Sequence, residues 1–313
     1  MKVFVTGATG FVGQELLHRL HDAGHSARIL ARDAKPRRVR EAATRWHTEV
    51  HQGNVLDAAS MEGGLNGVEA VVHLVGIISE VGQNTFENVH PRGTENIVAA
   101  ARAADVTRFI HMSALGTRPN AASRYHQSKW AAEEIVRRSG LAWTIFRPSI
   151  IYAPGDGFVN LFARMSRFSP VLPVIGSGQS KFQPVPVQDV ATCFVRALSE
   201  PRSIGQIYDL CGTEVFTLEQ ILDLILEVTA RRRIKLHLPL WLARCQAAFL
   251  ELAFPRLLGQ APPLNRDQLI MLQEDNVGDP KPAMELFGLR PCSFREIISG
   301  YLRTHITSQS RTP

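Results

Sequence analysis

Cysteine is scarce in this 313-residue sequence: Cys193, Cys211, Cys245 and Cys292 lie far apart, without a CxxC pair. That excludes a disulfide framework and a zinc module, and predicts reduced, mostly buried thiols of cytoplasmic type. Long apolar runs are missing too. Near the start the longest is Val68–Ile78, too short to span a bilayer and interrupted by Glu69 and His73. No secretory leader is read ahead of the first strand, because Met1-Lys2 runs straight into it. Internal repeats and low-complexity segments are absent. The histidines are scattered and no metal site is read from them. Excess charge of one sign is modest. Lys and Arg number 35 against 29 Asp and Glu, a net charge of +6 with a pI near 9.4. Nucleotide phosphates, anionic lipid and nucleic acid are all compatible with it. Nucleic acid has only this charge in its favour and no motif, so it is set aside.

What the chain does have is core material, with 45% hydrophobic and 20% charged residues. This suits one large or two modest globular domains and excludes a disordered tail protein. Short apolar strands are predicted at Lys2–Thr6, Ala27–Ala31, Glu49–Gln52, Ala70–Val75, Arg108–Met112 and Ala142–Phe146. Helical stretches separate them, at 57–65, 86–104 and 123–139 among others. Strands apolar throughout and alternating with helices predict an α/β fold, a doubly wound parallel sheet of Rossmann type. Domain expectations follow the composition: 1–150 forms the sheet domain, with 185–212 returning to it. Residues 151–184 and 213–313 form a smaller, mainly helical domain. Ser308–Pro313 is expected to fray.

The strongest motif is Gly7-Ala-Thr9-Gly10-Phe11-Val12-Gly13 between the first strand and first helix. Glycines there permit a tight turn and let the backbone approach a pyrophosphate, which the N–H groups and dipole of the helix N-terminus then favour. At the end of the second strand stands Ala31-Arg32-Asp33, with Arg37, Arg38 and Arg40 close behind. A carboxylate at this place bonds a ribose 2′-hydroxyl, whereas a guanidinium suits a 2′-phosphate. Arg32 therefore favours NADP(H) over NAD(H), with Asp33 beside it as the competing feature.

A second constellation is Tyr125-His-Gln-Ser-Lys129. On a helix the i, i+4 spacing stacks phenol and ammonium one turn apart, and a nearby cation stabilises phenolate. Ser113 closes the fifth strand at the carboxyl edge, where open α/β sheets bind ligands. His126 is expected to point away from Tyr125, and His73 and His111 to be structural. Ser113, Tyr125 and Lys129 form the candidate catalytic set, with Tyr125 and Lys129 also near the cofactor.

These residues resemble the short-chain dehydrogenase/reductase superfamily, in its extended, epimerase/dehydratase-like branch. Gly53-Asn54-Val55-Leu-Asp57, Asn88 with Gly93-Thr94, Arg147-Pro148-Ser149 and Asp189-Val-Ala191 add to the likeness. The resemblance implies adenine contacts at Asn54 and Val55. It further implies cofactor-flanking positions at Leu74, Val75 and Gly76, and a nicotinamide-side segment at Pro148, Ser149 and Ile150. Asn54 departs from the Asp usual in that branch. The segment Pro262–Val277 resembles the subgroup of the nucleotide-binding accessory subunit of mitochondrial respiratory complex I. Members often pair through helices flanking the Tyr-Lys segment, so a homodimer is among the implied assemblies.

Leu238–Leu258 is apolar almost all round, with Arg231-Arg232-Arg233 just before it. Such a helix is buried, lines an apolar pocket, or docks on a membrane or partner; burial in the small domain is the expected fate. The arginine triplet reads as a solvated helix end. The leading functional expectation is an NADP(H)-dependent oxidoreductase acting on a small hydrophobic carbonyl, alcohol or quinone-related substrate, cytoplasmic or peripheral at the inner membrane face. The alternatives are a non-catalytic NADPH-binding accessory or redox-sensing protein at a respiratory membrane complex, and a sugar-nucleotide epimerase or dehydratase.

Overall fold

Val3, Phe4 and Val5 are fully buried, so the first strand, β1 (Lys2–Thr6), lies at the centre of a sheet rather than at its edge. The computed structural model describes residues 1–309, with side chains through Arg303; residues 310–313, part of the tail expected to fray, lie outside the described residues. The described residues form two compact units, one of Met1–Arg147 with Gln188–Tyr208, the other of Pro148–Val187 with the described residues from Asp209 onward.

In chain order the first unit contains β1, α1 (Phe11–Asp22), β2 (Ser26–Ala31), α2 (Arg37–Arg45), β3 (Glu49–Gln52) and β4 (Ala70–His73). A π-helical turn at Asn88–Arg92 leads into α3 (Gly93–Ala103), followed by β5 (Arg108–Met112), α4 (Arg124–Arg137) and β6 (Ala142–Pro148). The chain later returns, after β7 (Ile151–Tyr152), α5 (Val159–Phe168), β8 (Val171–Ile175), β9 (Lys181–Phe182) and β10 (Val185–Pro186). The returning elements are α6 (Val187–Ala197) and β11 (Gln206–Leu210). The sheet order is β11-β6-β5-β4-β1-β2-β3. β1 pairs in parallel with β2 and β4, placing Thr6 opposite both Leu30 and His73. The strand order reverses between β1 and β4, so the crevice at their carboxyl ends is the topological switch point where such sheets bind ligands. The expected doubly wound parallel sheet is the one observed.

The sheet is fastened at β5 by a buried guanidinium. Arg108 donates to the Ala142 and Ala197 carbonyls and to the Thr144 and Ser203 hydroxyls, at 2.5–3.1 Å. Its burial among neutral acceptors pulls its pKa down to about 10.

Local propensity missed some elements. The predicted helix at 57–65 is only a 3-10 turn, Ala59–Met61, because positive-φ Gly63 breaks the chain two residues later. The charged segment that forms α2 carries just two buried residues, Val39 and Ala42, too weak a stripe to read.

In the second unit β12 (Phe216–Thr217) leads into α7 (Leu218–Val228), which starts with a full capping box of Thr217 and Gln220. Then come β13 (Ile234–Leu238), α8 (Leu240–Leu258), α9 (Arg266–Met271), α10 (Lys281–Phe287) and α11 (Phe294–Gln309). The core gathers Leu222 and Ile225 of α7, Leu172 and Val174 of β8, Tyr152, and Phe294 and Ile298 of α11. β13 pairs in parallel with β8, Ile234 opposite Val171. That strand pair is missing from the expectation of a mainly helical region.

Two expectations need correction. α8 is not buried: only Ala243 and Ala247 are fully covered, packing with Leu269, Ile175 and Leu264, while Trp241, Leu242, Phe249 and Leu252 are exposed. A helix apolar on every side offers the core one side and leaves the other uncovered. The thiols also divide: Cys193 and Cys211 are buried, Cys292 is half-buried and Cys245, on the outer side of α8, is exposed.

Candidate functional site

The crevice begins with the glycine turn. Gly7 has φ +76°, and a Cβ there would press on the Leu74–Val75 backbone at 3.1 Å. A Cβ on Gly13 would overlap the Gly7 carbonyl oxygen and the Ala8 backbone. The glycines thus let the turn fold back on the first turn of α1. Gly10 caps that helix with no side-chain acceptor, leaving the first-turn N–H groups to bind an anion.

Around this turn lies a cavity of about 1050 Å³, entirely within the first unit. Gly7, Thr9, Gly10, Phe11, Val12, Gly13, Arg32, Asn54, Val55, Leu74, Val75 and Gly76 all border it. Leu30, Asp33, Arg38, Ile77, Asn84 and Met112 do as well, and were not among the expected cofactor contacts. Arg38 reaches over the glycine turn to the Thr9 carbonyl at 3.4 Å, a contact its position on α2 makes available. Arg37 is held by Glu41, and the Asp33 carboxylate accepts the Lys35 N–H at 2.9 Å. Arg32 is exposed, with no hydrogen-bond or ion-pair partner among the described residues. The Asn54 carboxamide oxygen accepts the Leu56 N–H at 3.1 Å.

Beyond Gly76 the wall is backed by the helix that carries the Tyr-Lys pair. Ser123 caps α4 by accepting the His126 N–H at 3.2 Å. Lys129 is 2% exposed, its ammonium donating to the Met112 carbonyl at 2.8 Å. A Cβ added at Gly76 would sit 3.2 Å from that nitrogen, so the ammonium stands directly behind the cavity wall. Burial lowers the Lys129 pKa to about 8, with Glu133 opposing the shift. Glu133 is itself fully buried and gripped by Arg147, whose Nε and Nη2 donate to its two carboxylate oxygens at 2.8 and 2.6 Å, and by Arg137.

Tyr125, half-buried one turn before Lys129, meets the His90 ring edge-on at 5.5 Å and the His126 ring at 5.1 Å. His126 was expected to point away from it; instead its ring is buried, with Nδ1 3.5 Å from the Thr117 hydroxyl. Ser113, next to Met112, is buried and donates a long 3.4 Å bond to the same hydroxyl.

Behind the pair lie three buried histidines. His73 joins Thr6 at 2.7 Å and Thr94 at 3.2 Å, and stacks on His111 with ring centres 5.4 Å apart. His90 links the Ser128 hydroxyl, at 2.7 Å, to the Ile77 N–H, which it accepts at 3.1 Å. It thereby ties the cavity wall to the Tyr-Lys helix. Burial and then the Lys129 charge lower all three, His73 to about 3 and His90 to about 2, so they are neutral. Pro148, Ser149 and Ile150 fall in the second unit, where the Ser149 hydroxyl bonds the Asn276 carboxamide oxygen at 2.5 Å.

Comparison with known proteins agrees with this geometry. Residues 7–201 match the family described as NAD(P)H-binding. The chain is 29% identical over 280 residues to subunit 9 of the mitochondrial NADH dehydrogenase (ubiquinone) 1 alpha subcomplex of Arabidopsis thaliana, spanning 87% of this chain and 70% of that protein. It is 34% identical over 203 residues to a ceramide reductase of Caulobacter vibrioides, covering 64% of this chain and 61% of that one. In fold it is similar to the UDP-glucose 4-epimerase of Thermotoga maritima, with a TM-score of 0.76 at 19% identity over 99% of this chain and 100% of that one. With a glycine-turn cavity at the sheet's switch point and a family match across most of the first unit, the chain belongs to the NAD(P)H-binding family, with the Rossmann fold of the short-chain dehydrogenase/reductase type.

Proposed function

We propose that the protein is an NADP(H)-dependent oxidoreductase that interconverts an apolar or quinone-related carbonyl compound and its alcohol. The observation that carries this reading is the buried Lys129 ammonium, set between the Met112 carbonyl and the cavity wall at Gly76, one helical turn from Tyr125. A charge held in that position at the cost of desolvation is a pattern typical of functional sites.

The residues fit a dinucleotide. The uncapped start of α1 and the glycine turn suit the pyrophosphate, and Asn54 and Val55 border the part of the cavity assigned to adenine. Arg32 and Arg38 offer guanidinium groups to a 2′-phosphate, while Asp33 is already engaged by the Lys35 N–H. That engagement favours NADP(H) over NAD(H).

When bound, the nicotinamide supplies or accepts the hydride. Tyr125 gives its phenolic proton to the substrate oxygen in the reductive direction and recovers one in the oxidative direction. Lys129 stabilises the phenolate left behind, and Ser113 exchanges its long bond to Thr117 for one to the substrate oxygen. The balance is carbonyl plus NADPH plus H⁺ giving alcohol plus NADP⁺. The relative named for ceramide reduction supports an apolar substrate.

A second reading draws on the relative named as a respiratory-complex subunit: a tightly held NADPH with no turnover, in a protein seated on a respiratory complex. One experiment separates the two. Purified protein is denatured, the released dinucleotide is identified by mass, and NADPH oxidation by quinones and apolar carbonyls is followed with Tyr125→Phe as control. Turnover lost in the variant supports the oxidoreductase. Retained NADPH that never reacts supports the accessory role. NAD alone in the released fraction overturns the assignment of Arg32.

A further inference from the structure

We propose that the second unit docks on an anionic lipid bilayer through the outer face of α8 and the adjoining strand β13. This does not depend on turnover in the first unit. Among the described residues fourteen large hydrophobics are exposed, and eight of them lie within 234–258. Trp241 is 67% and Phe249 68% exposed, on the same helix as exposed Leu242 and Leu252. At about 100° per residue, Trp241, Cys245, Phe249 and Leu252 fall in one sector, opposite the covered Ala243 and Ala247. The strand that leads into this helix continues the pattern. Ile234 and Leu236 share one strand face and are exposed, whereas Lys235 and His237 on the other are tied to Asp223 and Glu219.

Charge identifies the occupant. Arg231 and Arg233 fold back on the end of α5, donating to the Ala163 and Ser166 carbonyls. After burial, the positive charges of Arg233 and Arg167 are what depress Arg231, so three guanidinium groups share this corner, next to exposed Arg232 and Phe168. Arg244 and Arg256 extend the positive charge along α8. The neighbouring acids are already engaged, Glu251 by Arg266 and Glu227 by Arg295. Exposed Trp, Phe and Leu beside the exposed Arg232, Arg244 and Arg256 are complementary to anionic headgroups and the acyl boundary beneath them. The same arginines would repel one another across a contact between two copies of this face. No described helix is long and apolar enough to cross a membrane, so the contact would be interfacial.

The test is flotation of the full chain with vesicles of phosphatidylcholine alone or with about 30% phosphatidylglycerol, read together with quenching of tryptophan emission by brominated lipid. Flotation on the anionic vesicles only, weakened by salt, with quenching abolished in Trp241→Phe, is the expected result. Each of Arg232→Glu, Arg244→Glu and Arg256→Glu should weaken partitioning about fivefold or more. Trp241→Ser with Phe249→Ser should weaken it at least tenfold by removing apolar contact. All these side chains are exposed, and unchanged circular dichroism confirms that the variants fold. Three results would overturn the proposal: no flotation on either vesicle, equal flotation on both, or a dimer in sedimentation that Trp241→Ser with Phe249→Ser converts to monomer.

Discussion

The Lys129 ammonium is anchored on the Met112 carbonyl at 2.8 Å, so the cation on α4 is fixed by the strand that ends beside Ser113. This couples helix and strand beside the wall of the glycine-turn cavity, where the proposed function places the reacting groups. Lys129→Met keeps most of the stem volume and removes the charge. Its kcat for NADPH oxidation is expected to fall about 10²- to 10⁴-fold, the range of a lost acid–base partner.

The same residue gives stability a dependence on alkaline pH. Its pKa is about 8 when folded, against an ordinary 10.5. Between these values the unfolded chain holds a proton that the folded chain has released, so stability rises with pH, by up to about 1.4 kcal/mol per pH unit. Below the lower value both states are protonated and the slope vanishes. Urea unfolding across this window should show the slope in the wild type and lose that part of it in Lys129→Met.

Acid acts through the buried histidines. His73 and His90 ordinarily titrate near 6.5 but are lowered to about 3 and about 2 in the fold, with His111 lowered as well. Below the ordinary value the unfolded chain takes up protons that the folded chain refuses. Stability present at neutral pH is therefore lost as pH falls from 6.5 toward 3. Neither ring nitrogen of His111 has a hydrogen-bond partner among the described residues. His111→Phe is expected to hold or raise stability at neutral pH, and to make the acid loss shallower by up to about 1.4 kcal/mol per pH unit. Thermal melts at several pH values in this range check both.

Gly13 and Gly24 separate cofactor binding from backbone strain. Gly13→Ala drives a methyl group into the Gly7 carbonyl and the Ala8 backbone, so at least tenfold weaker dinucleotide binding is expected. Gly24 has φ +74° with open space around it, and Gly24→Ala should cost about 1 kcal/mol of stability while leaving binding intact. Calorimetric titration with NADPH, beside melting curves, distinguishes the two.

Arg108 fixes β5 to its surroundings through acceptors on Ala142, Thr144, Ala197 and Ser203. Arg108→Met leaves those buried acceptors without their donor, and a loss of about 3 kcal/mol is expected in urea unfolding.

How much of this was legible depends on whether the signal was local. The β1 turn needs glycine at particular positions, and glycine is visible as itself; the Tyr125–Lys129 spacing is one helical turn whatever the tertiary setting. The central strands are apolar throughout because both faces are covered, so they too announce themselves. Pairing of β8 with β13 does not, since Val-Leu-Pro-Val-Ile and Ile-Lys-Leu-His-Leu become strands only in each other's company. Nor does the sequence show that Arg38 would reach Thr9, or that His90 would bridge Ile77 and Ser128, contacts made by residues distant in the chain.

By itself, then, the sequence determined the sheet, its switch-point crevice and the glycine turn that opens it, because these follow from periodicity and from what glycine alone permits. Tertiary structure decided which histidines are buried and uncharged, and that Lys129 gives up solvent for a backbone carbonyl. It also decided which side of α8 is covered. Burial is a property of neighbours, and a helix apolar on every side carries no instruction about which side will find them.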